Sequence, residues 1–185
     1  MSGLFSKKKL EFELVTTRGG DKGESFTYDG SKKVKYDSIF NAVGDLDELN
    51  SFLGVVRNLP IHNASYISEI QEKILNLSSQ VATDPNSDLY GQFKHIEEKD
   101  IDKLEEWQNK LMHDAFIPQK FILPGEKKDY TAHIDIARSV CRRCERQIVK
   151  LIRDNTRIDL FDCQRYLNRL SDFLFVFARY EDTIK

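Results

Sequence analysis

The sequence predicts an all-α protein, an up-and-down antiparallel five-helix bundle of the ferritin-like or four-helix-bundle type with an extended N-terminal arm. Apolar residues recur at three- and four-residue steps in five separate segments, which is the spacing of one face of an α-helix. Short connections join the segments, as in bundles of antiparallel neighbours. The chain has 185 residues, of which 40% are hydrophobic and 31% charged, so it can bury one core.

The beginning of the chain differs from the rest. Residues 1–35 are rich in Gly, Lys and Ser/Thr and lack an apolar stripe, so we expect an arm with loops there and a helical domain over residues 36–185. Residues 16–23 read Thr-Thr-Arg-Gly-Gly-Asp-Lys-Gly, a polar loop whose backbone N–H groups could surround phosphate oxygens. An ordinary surface turn is the alternative, because Lys22 is not followed by the Ser/Thr and helix of a Walker loop.

Five helices are expected after the arm. Their predicted spans are 37–56, 65–81, 98–113, 129–153 and 160–180. In the first span, for example, Leu46, Leu49 and Leu53 follow one another at helical steps. A turn-rich stretch separates the second and third helices, and Pro118 and Pro124 interrupt the connection before the fourth.

The fourth predicted helix contains the most informative pattern. Arg138, Arg142 and Arg146 follow one another at i, i+4 spacing, so their guanidiniums form a column on one helix face, with Arg143 turned to the side. Such like-charge pairs destabilise a helix by roughly 0.2–0.5 kcal/mol each, so the column indicates an anion opposite it. Glu145 neutralises only part of this charge, which leaves room for a phosphate or another carboxylate. A solvated basic face is the alternative.

Two other groups of polar residues lie on predicted helices. Asp45, Asp47 and Glu48 crowd one and a half turns of the first helix, where they form a solvated face or meet the arginine column across the bundle. Asn168 interrupts the apolar pattern of the last helix. Because buried polar groups need partners, Asn168 is either a satisfied core amide or a ligand contact.

Charge and hydropathy argue against several classes of protein. The net charge of −2 is unsuited to sequence-independent binding of nucleic acid, and the longest apolar run, 173–178, is too short to span a membrane. Residues 1–10 contain lysines but no apolar signal core, so we expect a cytoplasmic location. Cys141 and Cys144 form a C-x-x-C pair inside a predicted helix without a second ligand pair, which favours small buried residues over a metal or redox site.

Five blocks of sequence together resemble one known family. They lie at residues 17–23, 42–51, 121–125, 133–145 and 166–172 and read TRGGDKG, AVGDLDELNS, FILPG, HIDIARSVCRRCE and YLNRLSD. In content and order they resemble the PduO-type ATP:cob(I)alamin adenosyltransferases over about residues 17–180. One glycine-rich loop is easily matched by chance, whereas five ordered blocks are not.

The resemblance implies a homotrimer with active sites at the subunit interfaces. Each site would bind ATP between the N-terminal loop of one protomer and the arginine helix of its neighbour. The ATP-binding residues that the resemblance implies are Thr17, Arg18, Gly20, Asp21, Lys22, Gly23, Lys35, Arg142, Glu145 and Asn168. The loop and Lys35 would hold the triphosphate together with Arg142, Glu145 would lie beside Mg-ATP, and Asn168 would approach the ribose.

The resemblance also implies a reaction, the transfer of the 5′-deoxyadenosyl group of ATP to the cobalt of cob(I)alamin with release of triphosphate. Arg138, Arg142, Asp47 and Phe121 would serve catalysis. Asp47 would pair with Arg138 to hold the interface, and Phe121 would press against the lower face of the corrin. Mg²⁺ would be held through ATP, with Glu145 as the candidate protein ligand. A cobalamin reductase and an adenosylcobalamin-dependent client are the expected partners.

The chain departs from the family pattern after Pro124-Gly125, where Glu126-Lys127-Lys128-Asp129 replaces the usual small residues. Two other functions are compatible with the sequence. The protein could be a helical-bundle carrier that binds adenosylcobalamin or a nucleotide without catalysing transfer. Alternatively, it could be a structural bundle whose arginine column makes only contacts between subunits.

Overall fold

Most of the described chain is helical, as predicted. The computed structural model describes residues 11–184, so residues 1–10 of the predicted arm lie outside it. The helices are α1 Phe12–Val15, α2 Ser38–Arg57, α3 Ala64–Val81, α4 Glu98–Asp114, α5 Thr131–Asn155 and α6 Phe161–Thr183. Two short strands, β1 Glu24–Phe26 and β2 Lys32–Val34, form one small sheet, and single 3-10 turns lie at Tyr90–Gln92 and Ile158–Leu160. No helix within residues 11–184 is long and apolar enough to cross a membrane.

The five predicted helical spans correspond to α2 through α6, and local signals set several of their ends. Asp37 caps α2, because its side chain accepts a hydrogen bond from the Ile39 N–H at 2.9 Å. Glu97 and Asp100 form a capping box at the start of α4. Thr156 ends α5 in the left-handed conformation, with φ of 56°.

The arginine helix α5 lies between two others. It packs against α2 on one side and α6 on the other, while α3 packs on α2 and α4 packs on α6. The apolar stripes meet in one core, in which Leu46 and Leu49 of α2 and Leu167 and Leu170 of α6 are completely buried. The column arginines Arg142 and Arg146 are therefore left on the exposed side of α5.

The small sheet is a feature that the all-α prediction missed. β1 and β2 are antiparallel, with Glu24 opposite Val34. The hairpin is attached to the end of α3, because the Tyr28 N–H donates to the Ala82 carbonyl at 2.9 Å and the Asp84 N–H donates to the Asp29 carboxylate at 2.7 Å. The described part of the arm is thus fixed to the helical body at this end.

Candidate functional site

The polar loop 16–23 leads into β1 through a series of turns. The Asp21 N–H donates to the Arg18 carbonyl at 3.3 Å, and the Gly23 N–H donates to the Gly20 carbonyl at 3.2 Å. Arg18 and Gly23 have φ of 54° and 79°, in the left-handed region that few non-glycine residues adopt. Thr17, Arg18, Asp21 and Lys22 are all exposed, so their polar groups are accessible to a ligand.

The hairpin brings Lys35 to this loop. Lys35 follows β2, and its N–H donates to the Gly23 carbonyl at 2.9 Å. A Cβ added to Gly20 would lie 2.7 Å from the Lys35 ammonium nitrogen, so the ammonium lies directly against the Gly20 backbone. The structure therefore places a cation beside a loop whose glycine leaves room for it, which is a suitable arrangement for phosphate oxygens.

The arginine column on α5 is only partly neutralised. Arg138 is half-buried, and its Nε lies 3.5 Å from Asp135 Oδ1. Arg146 donates from Nη1 to the Arg142 carbonyl at 3.0 Å. Arg142 is exposed and forms no ion pair with any residue in the range 11–184. Arg146 forms no ion pair within that range either, so the column offers two guanidiniums without an acidic partner, and that of Arg142 also makes no hydrogen bond there and could bind an anion.

The acidic residues of α2 cross to Arg143 rather than to the column. Arg143 Nε lies 3.2 Å from Asp45 Oδ1, and the same guanidinium also contacts Glu48. The predicted pair between Asp47 and Arg138 does not form within one described chain, where Asp47 is exposed. That pair remains a prediction for the contact between two subunits.

Asn168 lies beside the column and is held at both ends of its amide. Its Nδ2 donates to Glu145 Oε1 at 3.0 Å, and its Oδ1 accepts from Arg169 Nη1 at 2.7 Å. Arg169 is itself held by Glu105 of α4, at 2.7 Å. An amide has two donors and two acceptor positions, so Asn168 retains one of each for a ligand. No role was predicted for Arg169 or Glu105, yet their contacts orient this amide.

We call the connection between α4 and α5, residues 115–130, the corrin-side loop, because the family resemblance implies that its Phe121 would face the corrin. It presents Phe121 completely to solvent, and Leu123 and Phe116 are 70% and 71% exposed. A cavity of about 510 Å³ lies where this loop meets the end of α6, lined by Phe116, Pro118, Lys120, Ile122, Glu126, Lys127, Arg179 and Asp182. Clustered exposed apolar side chains indicate a surface that a ligand or partner covers.

Lys128, in the run of residues that departs from the family pattern, anchors the corrin-side loop. Its ammonium group donates to the Ile184 carbonyl at 2.7 Å and to the Tyr130 hydroxyl at 3.1 Å. The Thr131 hydroxyl lies 2.8 Å from the Lys128 carbonyl. The departure therefore attaches the end of the loop to the end of α6.

The C-x-x-C pair consists of buried helix residues, as predicted. The thiols of Cys141 and Cys144 donate to the carbonyls of Leu167 and Asp45 at 3.2 and 3.1 Å. Burial raises the pKa of both thiols, that of Cys144 to about 12. Burial thus favours the neutral form of both thiols, which is a poor nucleophile.

Comparison with known proteins gives the same family as the five sequence blocks. The family model described as cobalamin adenosyltransferase matches residues 15–181. The chain belongs to the cobalamin adenosyltransferase family. The corrinoid adenosyltransferase MMAB of Bos taurus is 35% identical over 181 residues, covering 95% of this chain and 74% of that protein. The corrinoid adenosyltransferase of Citrobacter freundii is 34% identical over 173 residues, covering 91% and 95%.

A solved structure of a PduO-type adenosyltransferase resembles this chain closely. It is a variant of the ATP:corrinoid adenosyltransferase from Lactobacillus reuteri complexed with cobalamin and ATP. The TM-score is 0.81 at 32% sequence identity, with 91% of this chain and 93% of that chain covered.

In this adenosyltransferase, the predicted site residues form separate groups within one chain. One group is the loop 16–23 with Lys35, and another is the arginine column with Glu145 and Asn168. No hydrogen bond or ion pair joins these two groups in the part of the chain that the structure describes. Phe121 lies apart from both, on the corrin-side loop.

Two buried charged residues next to the arginine column were missed. Arg179 of α6 and Asp135 of α5 are both nearly completely buried and joined by a hydrogen bond of 2.7 Å. A signal for Arg179 was present, because this arginine directly follows the apolar run 173–178 inside a helix. A charge at such a place must find a buried partner.

Proposed function

We propose that this chain transfers the 5′-deoxyadenosyl group of ATP to the cobalt of cob(I)alamin, giving adenosylcobalamin and triphosphate. The observation that carries the proposal is the uncompensated Arg142 on α5, beside the Glu145–Asn168 pair, in a chain of the cobalamin adenosyltransferase family. The Lactobacillus reuteri relative complexed with cobalamin and ATP supports both substrates.

The side chains suit an in-line displacement at the 5′ carbon of ATP. Cob(I)alamin is itself the nucleophile, so the protein needs no general base and must instead orient the 5′ carbon toward cobalt. The cobalt–carbon bond forms as the bond from that carbon to the triphosphate oxygen breaks. Arg142 and Lys35 would stabilise the negative charge that develops on the departing triphosphate.

Mg²⁺ would reach the site with ATP. Residues 11–184 contain no cluster of three or more His, Cys, Asp or Glu side chains suited to a metal ion. Glu145 fits a supporting role, because Asn168 occupies its Oε1 and leaves Oε2 without a hydrogen bond inside the described chain. When bound, the ion would neutralise charge on the phosphate oxygens.

Phe121 would cover the lower face of the corrin. Its side chain is fully exposed and close to Leu123 in sequence, so a large apolar ligand could remove both side chains from water. An apolar wall on that face would exclude water and the lower axial base from cobalt. A four-coordinate Co(II) state, which is easier to reduce to Co(I), would result.

We further propose that the chain forms a homotrimer of up-and-down antiparallel five-helix bundles built from α2–α6, with residues 1–35 as the arm. The separation of the loop 16–23 from the arginine column within one chain supports a site shared between subunits. Asp47 would then pair with Arg138 of a neighbouring copy. A reductase, a client enzyme and a cytoplasmic location stay predictions.

One assay tests the proposed activity. The protein is mixed with ATP and chemically reduced cobalamin, and the loss of the Co(I) absorption spectrum is followed together with triphosphate release. We expect multiple turnovers. Binding of one equivalent without turnover would instead support a carrier, and no spectral change would support a structural bundle.

A further inference from the structure

A buried ion-pair network lies between α5 and α6, centred on Arg179. Arg179 and Asp135 are 3% and 4% exposed, and Arg179 Nη2 donates to Asp135 Oδ2 at 2.7 Å. On its other side, Arg179 Nε lies 3.0 Å from Asp182 Oδ2, an ion pair in which the N–H is not directed at the oxygen. The guanidinium also lies 5.7 Å from the centre of the Phe175 ring. One arginine therefore spans two carboxylates.

The network reaches the arginine column through Asp135. One carboxylate oxygen accepts the hydrogen bond from Arg179, and the other lies 3.5 Å from Arg138 Nε, an ion pair without a hydrogen bond. Asp135 and Arg138 are one helical turn apart on α5, whereas Arg179 comes from α6. Because Arg179 restrains the carboxylate, the carboxylate in turn restrains the Arg138 guanidinium on the nucleotide side.

The other end of the network reaches the corrin-side loop. Asp182 Oδ1 lies 2.9 Å from the Thr131 hydroxyl, which also lies 2.8 Å from the Lys128 carbonyl. A hydroxyl has one proton, so the two acceptors share it. Thr131 is the first residue of α5, directly after the loop. Arg179 and Asp182 also line the cavity beneath the loop.

We propose that Arg179 is a positioning residue for both substrates: through Asp135 it orients Arg138 toward the nucleotide, and through Asp182 and Thr131 it holds the corrin-side loop. This inference rests on the proposed function. A stabilising role alone would not require this chemistry, because well-packed apolar side chains stabilise a core as well as a buried ion pair does. The network instead joins the two places where ATP and the corrin would bind.

Arg179→Lys is the central test, because it keeps the positive charge but replaces the two-sided guanidinium with a single ammonium. We expect the dissociation constants and KM values of both ATP and cob(II)alamin to rise roughly 3–10-fold. Asp135→Asn should mainly weaken the binding of ATP, because it releases Arg138. Thr131→Val keeps the side-chain shape but removes the shared hydroxyl. It should mainly weaken the binding of the corrin.

Asp100→Asn is the matched control. Asp100 is a nearly completely buried acid, but it lies on α4 and pairs with Lys73, outside the network. Its two dissociation constants should stay within about twofold of the parent values. If Arg179→Lys changed thermal stability while both constants stayed at the control level, Arg179 would only support the fold. A rise for one substrate alone would also overturn the two-sided role.

The same measurements separate this inference from the proposed function. A parent chain that binds both substrates without transfer refutes the function only. The dissociation constants of Arg179→Lys relative to those of the parent still test the role of Arg179. A parent chain that transfers adenosyl, with Arg179→Lys binding like the control, refutes the positioning role only. A parent chain that binds neither substrate refutes both.

Discussion

Arg142 is the only member of the arginine column without a neighbouring group that takes up its charge or its N–H donors inside residues 11–184. Arg138 approaches Asp135, and Arg146 donates to a backbone carbonyl. A charge-assisted hydrogen bond to phosphate contributes roughly 1.5–3 kcal/mol, so its loss should be measurable in nucleotide binding.

Arg142→Ala should therefore raise KM for ATP at least about tenfold, with a normal circular dichroism spectrum and thermal unfolding midpoint. Arg153→Ala is the control, because Arg153 is an exposed arginine on the last turn of the same helix. Unchanged steady-state kinetics in Arg142→Ala would remove this residue from the site.

Phe121 permits a second prediction, because its fully exposed ring contributes little to the core. Phe121→Ala should transfer adenosyl at nearly the parental rate when cob(I)alamin is supplied already reduced. Starting from Co(II) and a mild reductant, the variant should be nearly inactive, because water or the axial base returns to cobalt. Rates from both starting states, with the paramagnetic resonance spectrum of Co(II), measure this difference.

The exposed Phe161 at the start of α6 supplies the control, as Phe161→Ala, which should affect neither rate. If Phe121→Ala lost the same share of activity with cob(I)alamin and with Co(II) plus reductant, the result would contradict a role in desolvation. It would indicate that the ring positions substrate instead.

For single residues, the sequence predicted which residue types cluster. It predicted less well which of them form ion pairs with one another. For the acids of α2 the sequence left two alternatives, a solvated face or a contact with the arginine column, and Asp45 and Glu48 do cross to α5, but to Arg143. Spacing alone fixes the direction of a side chain to within part of a turn. The rotation of one helix against another depends on packing that a single sequence does not reveal.

The hairpin gives a prediction about an element. The Lys35 ammonium can lie against the Gly20 backbone only because Gly20 has no side chain, since an added Cβ would lie 2.7 Å from the Lys35 ammonium nitrogen. Gly20→Ala should displace the flexible end of Lys35 at little cost in folding and raise KM for ATP roughly tenfold, as Lys35→Ala should. The double variant should be no worse than Lys35→Ala alone, because both changes remove the same contact. A double variant that is clearly worse would show that Gly20 acts independently of Lys35.

The end of α6 makes a prediction about pH. Burial raises the pKa of Glu181 above its ordinary 4.5, against the lowering effect of its hydrogen bonds from His62. The folded protein then holds this proton more tightly than the unfolded chain. Its contribution to stability is complete below about pH 4.5 and is lost as pH rises through the raised pKa.

Denaturant unfolding should therefore find Glu181→Gln gaining free energy of unfolding relative to the parent as pH increases from about 4.5 to 7. Glu72→Gln, at an exposed position on α3, should show no such trend. A pH-independent difference between Glu181→Gln and the parent would contradict the raised pKa.

Helices were predictable where hairpins were not. Each helix repeats its apolar stripe over several turns, so the spans 98–113 and 129–153 agree with α4 and α5 within two residues at either end. Each strand of the hairpin has only three residues, none of them buried, so no alternation of apolar and polar residues was visible. The hairpin is fixed instead by backbone hydrogen bonds to residues distant in sequence, such as Ala82.

The whole molecule permits a test of the shared site. Two variants would be prepared and mixed. The first carries Arg18→Ala and Lys22→Ala in the loop, and the second carries Arg142→Ala in the column. If each site combines the loop of one subunit with the column of the next, mixed trimers contain some intact sites. After random exchange in an equal mixture, about a quarter of all sites would be intact. Adenosyl transfer by the mixture should then exceed that of either variant. Activity equal to the mean of the two would place the whole site in one subunit.

The chain has three cysteines, Cys141 and Cys144 described above and Cys163 on α6, and each contacts a different helix. The Cys144 thiol faces α2, the Cys141 thiol faces α6, and the thiol of Cys163 on α6 donates to Gln80 of α3 at 3.4 Å. All three thiols are buried and have raised pKa values, so an alkylating reagent can reach each one only after the helices around it separate. The protein consequently contains its own reporters of local opening. The rate at which each thiol is modified would measure how often the helices around that thiol separate.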